Sequence, residues 1–347
     1  MESMTNTAAT LPDFVQSLPK VELHLHIEGT LEPEMLLTLA RRNGVHIPYR
    51  TIDAARAAYQ FADLQSFLQV YYLGGSVLRK ERDFYELTQA YLARCKVQRI
   101  RHAELFFDPQ THLANGVALE AVIGGIHAAL RDAERDWDIS SALILCFERD
   151  RDPEPAVALL ERACRLGGIV GIGLDSAELG HPPGRFQEVF AVAGSLGLHR
   201  VAHAGEEGPP AYIWQALDVL GVERIDHGVR CLEDPVLVHR LVDDRVPLTV
   251  CPFSNVALKV FDQLSTHNLA RLLKAGLWVT INSDDPAYFG GYLNENMIDT
   301  LSCLNLTARD ALILERNAVT AAFCSDQRKQ SLLKELDEYG ASPQNGL

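Results

Sequence analysis

The sequence predicts a (β/α)₈ barrel with additional helices. Two observations carry that prediction. Eight short apolar runs alternate with amphipathic stretches over about 270 residues, and titratable side chains gather where four of those runs end. The length of 347 residues suits a single barrel domain, 1–347, with material to spare for extra helices. A doubly wound open sheet is the competing topology. No G-x-G-x-x-G follows the first run and no G-x-x-x-x-G-K-[ST] occurs anywhere, so a nucleotide-phosphate cradle has no support.

The first run, Val21 to Gly29, reads as a short strand in which Val21, Leu23, Leu25 and Ile27 alternate with Glu22, His24, His26 and Glu28. Alternation puts His24 and His26 on one face, where two imidazoles can reach one metal ion. Glu28-Gly29 adds a carboxylate and a turn at the strand's end. Glu32 to Asn43 reads as a helix behind a Thr30 cap, with Pro33 in its first turn. Residues 53–98 read as a helical insertion, longer than a crossover requires and rich in aromatics. Most of these read as core, and those near Phe61 to Phe67 as a possible lid over a flat apolar ligand.

The remaining strands are expected at Ile100–Phe107, Ser141–Phe147, Gly168–Leu174, His199–Ala202, Arg224–Asp226, Val246–Val250 and Leu277–Asn282. Tyr212–Leu220 and Asp234–Val242 are amphipathic connectors, and Ala308 to Leu336 reads as helical throughout. The polar ends, 1–12 and 341–347, are expected to be disordered.

Composition narrows the function classes. Lys and Arg number 32 against 46 Asp and Glu, a net charge of −14. That argues against nucleic acid or an anionic membrane surface as partner and favours a small, nearly neutral substrate. Seven cysteines, an odd number without a C-x-x-C pair, read as thiols in a reducing compartment. No apolar run approaches a membrane span, and the polar opening MESMTNTAAT lacks a signal pattern, so the cytoplasm is the expected location. The sequence does not specify an oligomeric state.

In a barrel the C-terminal strand ends converge on one face. His24 and His26 come from the first strand, His203 from the fifth, His227 from the sixth, and Asp284 with Asp285 from the eighth. Each alone has an ordinary explanation: Asp-Pro is a common turn, and His-Gly often just ends a strand. Together they make a borderline metal site of nitrogen and oxygen donors. It suits Zn²⁺, with Fe²⁺, Co²⁺ or Mn²⁺ as other occupants. Such an ion makes hydroxide available near neutral pH. Glu206, three residues after His203, is placed to exchange a proton beside that water, and His227 is either a ligand or a group that aims the water.

The set H-L-H-I-E-G, H-A-G-E-E-G, I-D-H-G and N-S-D-D-P, in that order, resembles the adenosine/adenine deaminase family of the amidohydrolase superfamily, from about Leu18 to Phe323. The resemblance implies one Zn²⁺ held by His24, His26, His203 and Asp284. It implies that Glu206 protonates purine N1, that His227 orients the attacking hydroxide, and that Asp284 also takes a proton from the water. Asp285 would bond N7, and ammonia would leave C6. The H-x-E…P-C-x-x-C signature of the other zinc deaminases is absent. Amidohydrolases that bridge two metals with a carbamylated lysine are also disfavoured, because Asp175 and Ser176 end the fourth strand.

Within that resemblance, adenosine deaminases carry Asp where this chain has Glu28, and a Leu-Ala-Gly-x-Glu run where it has Leu174-Asp175-Ser176-Ala177-Glu178, so that Ser176 stands where a glycine would contact N3. Glu28, the D-S-x-E-x-G-H-P-P run and D-D-P-A-Y-F-G-G look like the adenine deaminase branch, which implies adenine as substrate, hypoxanthine as product and a place in purine salvage. Adenosine, N6-substituted adenine, or a purine-binding relative without catalysis are the alternatives. If Glu28 fills the space of a ribose, Glu28→Asp raises the adenosine/adenine ratio of kcat/KM. An unchanged ratio in parallel ammonia-release assays removes that role.

Overall fold

All eight expected strands form, each parallel to its neighbours and in sequence order around the sheet. The structure is a computed structural model that describes residues 10–342. β1 is Lys20–Glu22, β2 Ile100–Phe107, β3 Ser140–Glu148, β4 Ile169–Asp175, β5 His199–Ala204, β6 Arg224–His227, β7 Pro247–Val250 and β8 Trp278–Ile281. Strands of a parallel sheet covered by helices are buried on both faces, which is why they read as near-continuous apolar runs. β3 shows it: every residue from Ala142 to Glu148 is buried.

Helices ring the barrel. Leu119–Trp137 shows how they are specified: Leu119, Val122, Ile123, Ile126, Ala129, Leu130 and Ala133 recur at helical spacing and are the residues it buries. Inside the barrel a separate small cluster of Phe106, Ile144, Cys146 and Val201 fills the lumen. No helix of the described residues is long and apolar enough to cross a membrane. The seven cysteines are free; Cys95, Cys146, Cys231 and Cys251 are buried and Cys303 is exposed.

Five expectations are corrected. The first strand is shorter than Val21 to Gly29, because its continuation splays between two partners. Leu25 bridges to Asp284 on one side and His26 to Phe106 on the other, and Glu28–Thr30 then forms a 3₁₀ turn. Thr30 does not cap the helix Pro33–Asn43: its hydroxyl donates to the Ile27 carbonyl at 2.7 Å, and Glu32 takes the cap position. The stretch 53–98 is not one insertion. Ile52–Ala57 and Leu64–Gly75 are extra helices, whereas Glu81–Val97 is the barrel's own crossover to β2, with Phe84 and Tyr91 in the main core. The terminal segment is two helices, Ala308–Ala321 and Asp326–Gly340, capped anew by Ser325. Phe323 in the break stacks on His199 with ring centroids 3.9 Å apart and lies 4.5 Å under the Arg224 guanidinium. At the ends, Leu11–Ser17 is helical with Phe14 and Val15 buried, contrary to the expected disorder through residue 12, and Ala341 closes the last helix. That expectation for 1–9 and 343–347 lies outside the described residues.

Arg224 ties the barrel's lower end together. Its guanidinium is buried, donates to Glu104 Oε2 at 2.8 Å and to the Leu23 carbonyl at 3.1 Å, and so links β6, β2 and β1. Burial pushes the Glu104 carboxyl up, but the Arg224 guanidinium, His102 and the Phe323 amide together more than offset this and hold it below the usual carboxylate range. Removing one partner of a buried pair strands the other charge, so Arg224→Met is expected to cost roughly 3–5 kcal/mol by urea denaturation, and Glu104→Gln added to it to recover part of the loss. A single variant within about 1 kcal/mol of wild type would show that the pair does not support the barrel.

Candidate active site

His24, His26, His203 and Asp284, from three different strand ends, bring one ligand atom each within 4.8 Å of one another, all buried. Their tautomers follow from their partners. Thr249 donates its hydroxyl hydrogen to Asp226 Oδ1 at 2.8 Å, so its oxygen accepts from His24 Nδ1 at 3.0 Å, and the His24 proton sits on Nδ1. His203 Nδ1 lies 3.1 Å from the Leu174 carbonyl, an obligate acceptor, which puts the His203 proton on Nδ1 as well. Both Nε2 lone pairs therefore face inward. His24 Nε2 is buried without a hydrogen-bond partner and lies 3.2 Å from Asp284 Oδ1. His26 Nε2 lies 3.2 Å from His203 Nε2 and 3.5 Å from Asp284 Oδ1.

These separations fit an ion. Tetrahedral ligands at 2.0–2.1 Å from Zn²⁺ stand about 3.3 Å apart, close to the separation of His24 Nε2 from Asp284 Oδ1 and of His26 Nε2 from His203 Nε2. Burial makes ionisation of Asp284 harder, yet His24, His227 and His26 hold its carboxyl well below the usual range. The group His24, His227, Cys251 and Asp284 also lies close enough to share an ion, so His227 is either a fifth donor or a neighbour of the set.

The backbone at these strand ends is unusual. Ser176, His227 and Asp284 all adopt left-handed conformations, with φ of 69°, 63° and 63°. Such residues cost energy and persist where the surroundings over-determine them. Gly29 is required nearby: a Cβ there would lie 2.6 Å from the Asp285 Cα.

Around the cluster lies a cavity with about 390 Å³ of atom-free space. Its lining includes His26, His203, Glu206, His227, Asp284 and Asp285, joined by Asp108, Asp175 and Ser176. The helix Leu64–Gly75 supplies Leu64, Phe67, Leu68, Tyr71 and Tyr72 as a cover. Phe67 sits in an aromatic group with Phe61, Tyr71, Tyr288 and Phe289. Tyr72 closes one side, its hydroxyl 2.7 Å from Ser176 Oγ. Burial and the neighbouring Asp284 push the Glu206 carboxyl well above the usual range, and its Oε1 has no partner. Burial thus favours the protonated form of Glu206, the form a general acid must hold. Asp285 is pushed up for the same two reasons, and its Oδ1 is likewise unpartnered.

Glu28 stands outside this lining. Its Oε1 accepts from His112 Nε2 at 2.7 Å and from the Asp108 amide at 3.2 Å, and its Oε2 lies 3.5 Å from the Tyr71 hydroxyl. Its carboxylate is held by His112, and Glu28 meets the cavity through Tyr71 and Asp108.

Two kinds of residue escaped the sequence reading. Glu178 accepts four backbone N–H bonds, from Gly205, Glu206, Glu207 and Gly208, at 2.7–3.1 Å, and thereby fixes the loop that presents Glu206. Its signal was the acid in D-S-x-E. Asp108 and Asp175 are buried in the wall; Asp175 Oδ2 lies 3.6 Å from His26 Nδ1, and both Asp175 oxygens and Asp108 Oδ1 lack hydrogen-bond partners. In the sequence Asp108 merely follows the second strand, and nothing local marked it.

Comparison with known proteins agrees with this geometry. The adenosine deaminase family profile matches residues 19–339. An adenine deaminase of Hahella chejuensis is 54% identical over 330 residues, 95% of this chain and 99% of that protein. The crystal structure of an adenine deaminase from Arthrobacter aurescens superposes with a TM-score of 0.92 at 48% identity, covering 94% of this chain and all of that one. An amidohydrolase from Burkholderia ambifaria with bound Zn superposes with a TM-score of 0.87 at 29% identity, covering 97% of this chain and 96% of that one. A barrel with three histidines and an aspartate at its mouth, a match over nearly its whole length and relatives sharing half its residues assign the chain: it belongs to the adenosine deaminase family and is most like its adenine deaminase branch.

Proposed function

We propose that this protein hydrolyses adenine to hypoxanthine and ammonia, a step of purine salvage, with one Zn²⁺ held by His24, His26, His203 and Asp284. The observation that carries the chemistry is the pairing, in one cavity, of inward lone pairs with a protonated Glu206. When bound, the ion supplies the Lewis acidity that makes water a nucleophile near neutral pH.

The chain's own residues supply the rest. Aromatic C6 is a poor electrophile, so Glu206 delivers its proton to N1 as water adds to C6. Asp284 Oδ2, 3.6 Å from His227 Nε2, takes the proton that the water gives up. A C–O bond forms at C6, the C–N bond to the exocyclic amine breaks, that amine leaves as ammonia with the proton held by Asp284, and the proton left on the C6 hydroxyl returns to Glu206 as the product C=O forms. Asp285, kept protonated by burial, donates to N7, which has only a lone pair to offer. The cover formed by Leu64–Gly75 excludes water from the ring.

The choice of free base over nucleoside is supported by the wall. Asp108 Oδ1 and both Asp175 oxygens are buried without hydrogen-bond partners, and burial with the neighbouring Asp108 pushes the Asp175 carboxyl well above its usual range. A free base brings an N–H and a ring lone pair at its imidazole edge; a nucleoside carries a sugar there and leaves these buried carboxyl groups unpaired, which costs about 1–3 kcal/mol for each. Glu28 acts on this wall as a positioning residue, through its bonds to the Asp108 amide and the Tyr71 hydroxyl. The partner is thus a small purine.

Three outcomes test the reading. Glu206→Gln keeps the shape but not the acid, so kcat for adenine is expected to fall about 10²–10⁴-fold with KM nearly unchanged; ammonia release at wild-type rate would remove the assigned role. Chelation is expected to abolish turnover and Zn²⁺ to restore it, at about one ion per chain by elemental analysis. Full activity in metal-free protein would defeat the proposal. With adenine, adenosine and N6-methyladenine assayed in parallel, adenine is expected to dominate. Turnover of adenosine alone would keep the site and overturn the substrate.

A further inference from the structure

His227 faces the ligand cluster through Nε2 and the protein interior through Nδ1. What it can do depends on which nitrogen carries the hydrogen. The interior side decides it. Asn255, in the short helix Pro252–Ala257 after β7, has its side-chain Nδ2 3.2 Å from His227 Nδ1. Its Oδ1 lies 3.2 Å from His267 Nε2. His267 in turn receives the backbone N–H of Leu269 on its Nδ1, at 3.1 Å. All three side chains are buried, with exposures of 1%, 0% and 4% for His227, Asn255 and His267.

The direction of the chain is forced from its far end. A backbone amide only donates, so His267 Nδ1 accepts and carries no hydrogen. Leu269 opens the helix Leu269–Lys274, where an N–H has no partner within the helix, so this bond is structurally demanded. His267 is neutral, its pKa lowered to about 4 by burial, and its hydrogen is therefore on Nε2. That hydrogen points at Asn255 and requires the amide oxygen there. The amide NH₂ consequently faces His227, and His227 Nδ1 must accept. The opposite amide orientation sets two donors against each other at His267.

We propose that Asn255 and His267 are positioning residues that hold His227 as the Nε2–H tautomer, which keeps His227 out of the metal's ligand set and turns an N–H donor toward the reacting water. His227 Nε2 lies 3.6 Å from both Asp284 Oδ2 and Glu206 Oε2, so the donor is aimed between the group that takes a proton and the group that gives one. A fixed donor there binds the oxygen of the nucleophile and orients its lone pair. The same arrangement answers the choice left by the neighbouring histidine and cysteine: a nitrogen that keeps its hydrogen has no lone pair for an ion. The inference rests on the deaminase reading of the site, but a tautomer is read without turnover, so the two fail separately.

The experiment is ring ¹⁵N NMR of histidine-labelled, Zn²⁺-loaded protein, with the His227 signals assigned by their loss in His227→Gln. Wild type is expected to show a protonated Nε2 and a bare Nδ1 that receives a hydrogen bond. Asn255→Asp replaces the donor by an acceptor and is expected to move the hydrogen to Nδ1, lowering kcat for adenine about 10–100-fold with KM changed less than about threefold. His267→Gln keeps an amide hydrogen directed at Asn255 and is expected to retain the wild-type pattern, whereas His267→Phe frees the amide to turn and is expected to lose it. A wild-type His227 with its hydrogen on Nδ1, or a pattern unmoved by Asn255→Asp, overturns the proposal. If Asn255→Asp does not fold, the wild-type spectrum and the two His267 variants decide. An Nε2–H pattern in a protein inert towards adenine would uphold the relay and sink the substrate reading.

Discussion

The barrel closes where its last strand end meets its first, and the site is made by that closure. The amide of Asp284 donates to the His24 carbonyl at 3.1 Å, and the amide of His26 donates to the Asp284 carbonyl at 3.0 Å. Two backbone bonds thus fix the register of β8's end against the H-x-H segment. The same register puts the Asp284 carboxylate between the two imidazoles. Asp284 takes a left-handed conformation to do so, and the closure is what over-determines it. Fold and site share one set of hydrogen bonds.

Concentrating so much buried charge and polarity has a physical cost, and the molecule meets it with fixed partners. Arg224 offsets Glu104 at the floor. His112 offsets Glu28. Four amides satisfy Glu178. Among the described residues, several oxygens in the cavity wall are left over, those of Asp108, Asp175, Glu206 and Asp285. Buried polar atoms without partners are rare in native proteins and need a reason. Here a purine base supplies one, since it carries donors and acceptors around its whole rim.

Much of this was legible in the sequence. A parallel strand is short, apolar and followed by a polar turn, so all eight could be located. The ligands sit at strand ends, where local pattern and barrel geometry together put them on one face. The elements that were misread depend on partners distant in the chain. Thr30 looked like a helix cap but bonds to Ile27 three residues back. The single terminal helix breaks because Phe323 is drawn under the barrel to stack on His199 and Arg224. Glu81–Val97 looked like insertion, and only its packing against β2 and the helix Leu119–Trp137 makes it a crossover.

The sequence by itself determined the barrel, and through the family resemblance it named a candidate ligand set and the acid beside it. Residue type and spacing are sufficient to bring those side chains to one end of the barrel, because strand periodicity is rigid and convergence at the C-terminal face follows from the topology. The tertiary structure decided the directions: that the Glu28 carboxylate is held by His112, that Asp108 and Asp175 enter the cavity wall, and that Asn255 and His267 orient His227. Those outcomes rest on hydrogen bonds between strand ends and loops 12 to 84 residues apart. Their donor and acceptor sense is set by burial, and burial is not written in any local stretch of chain.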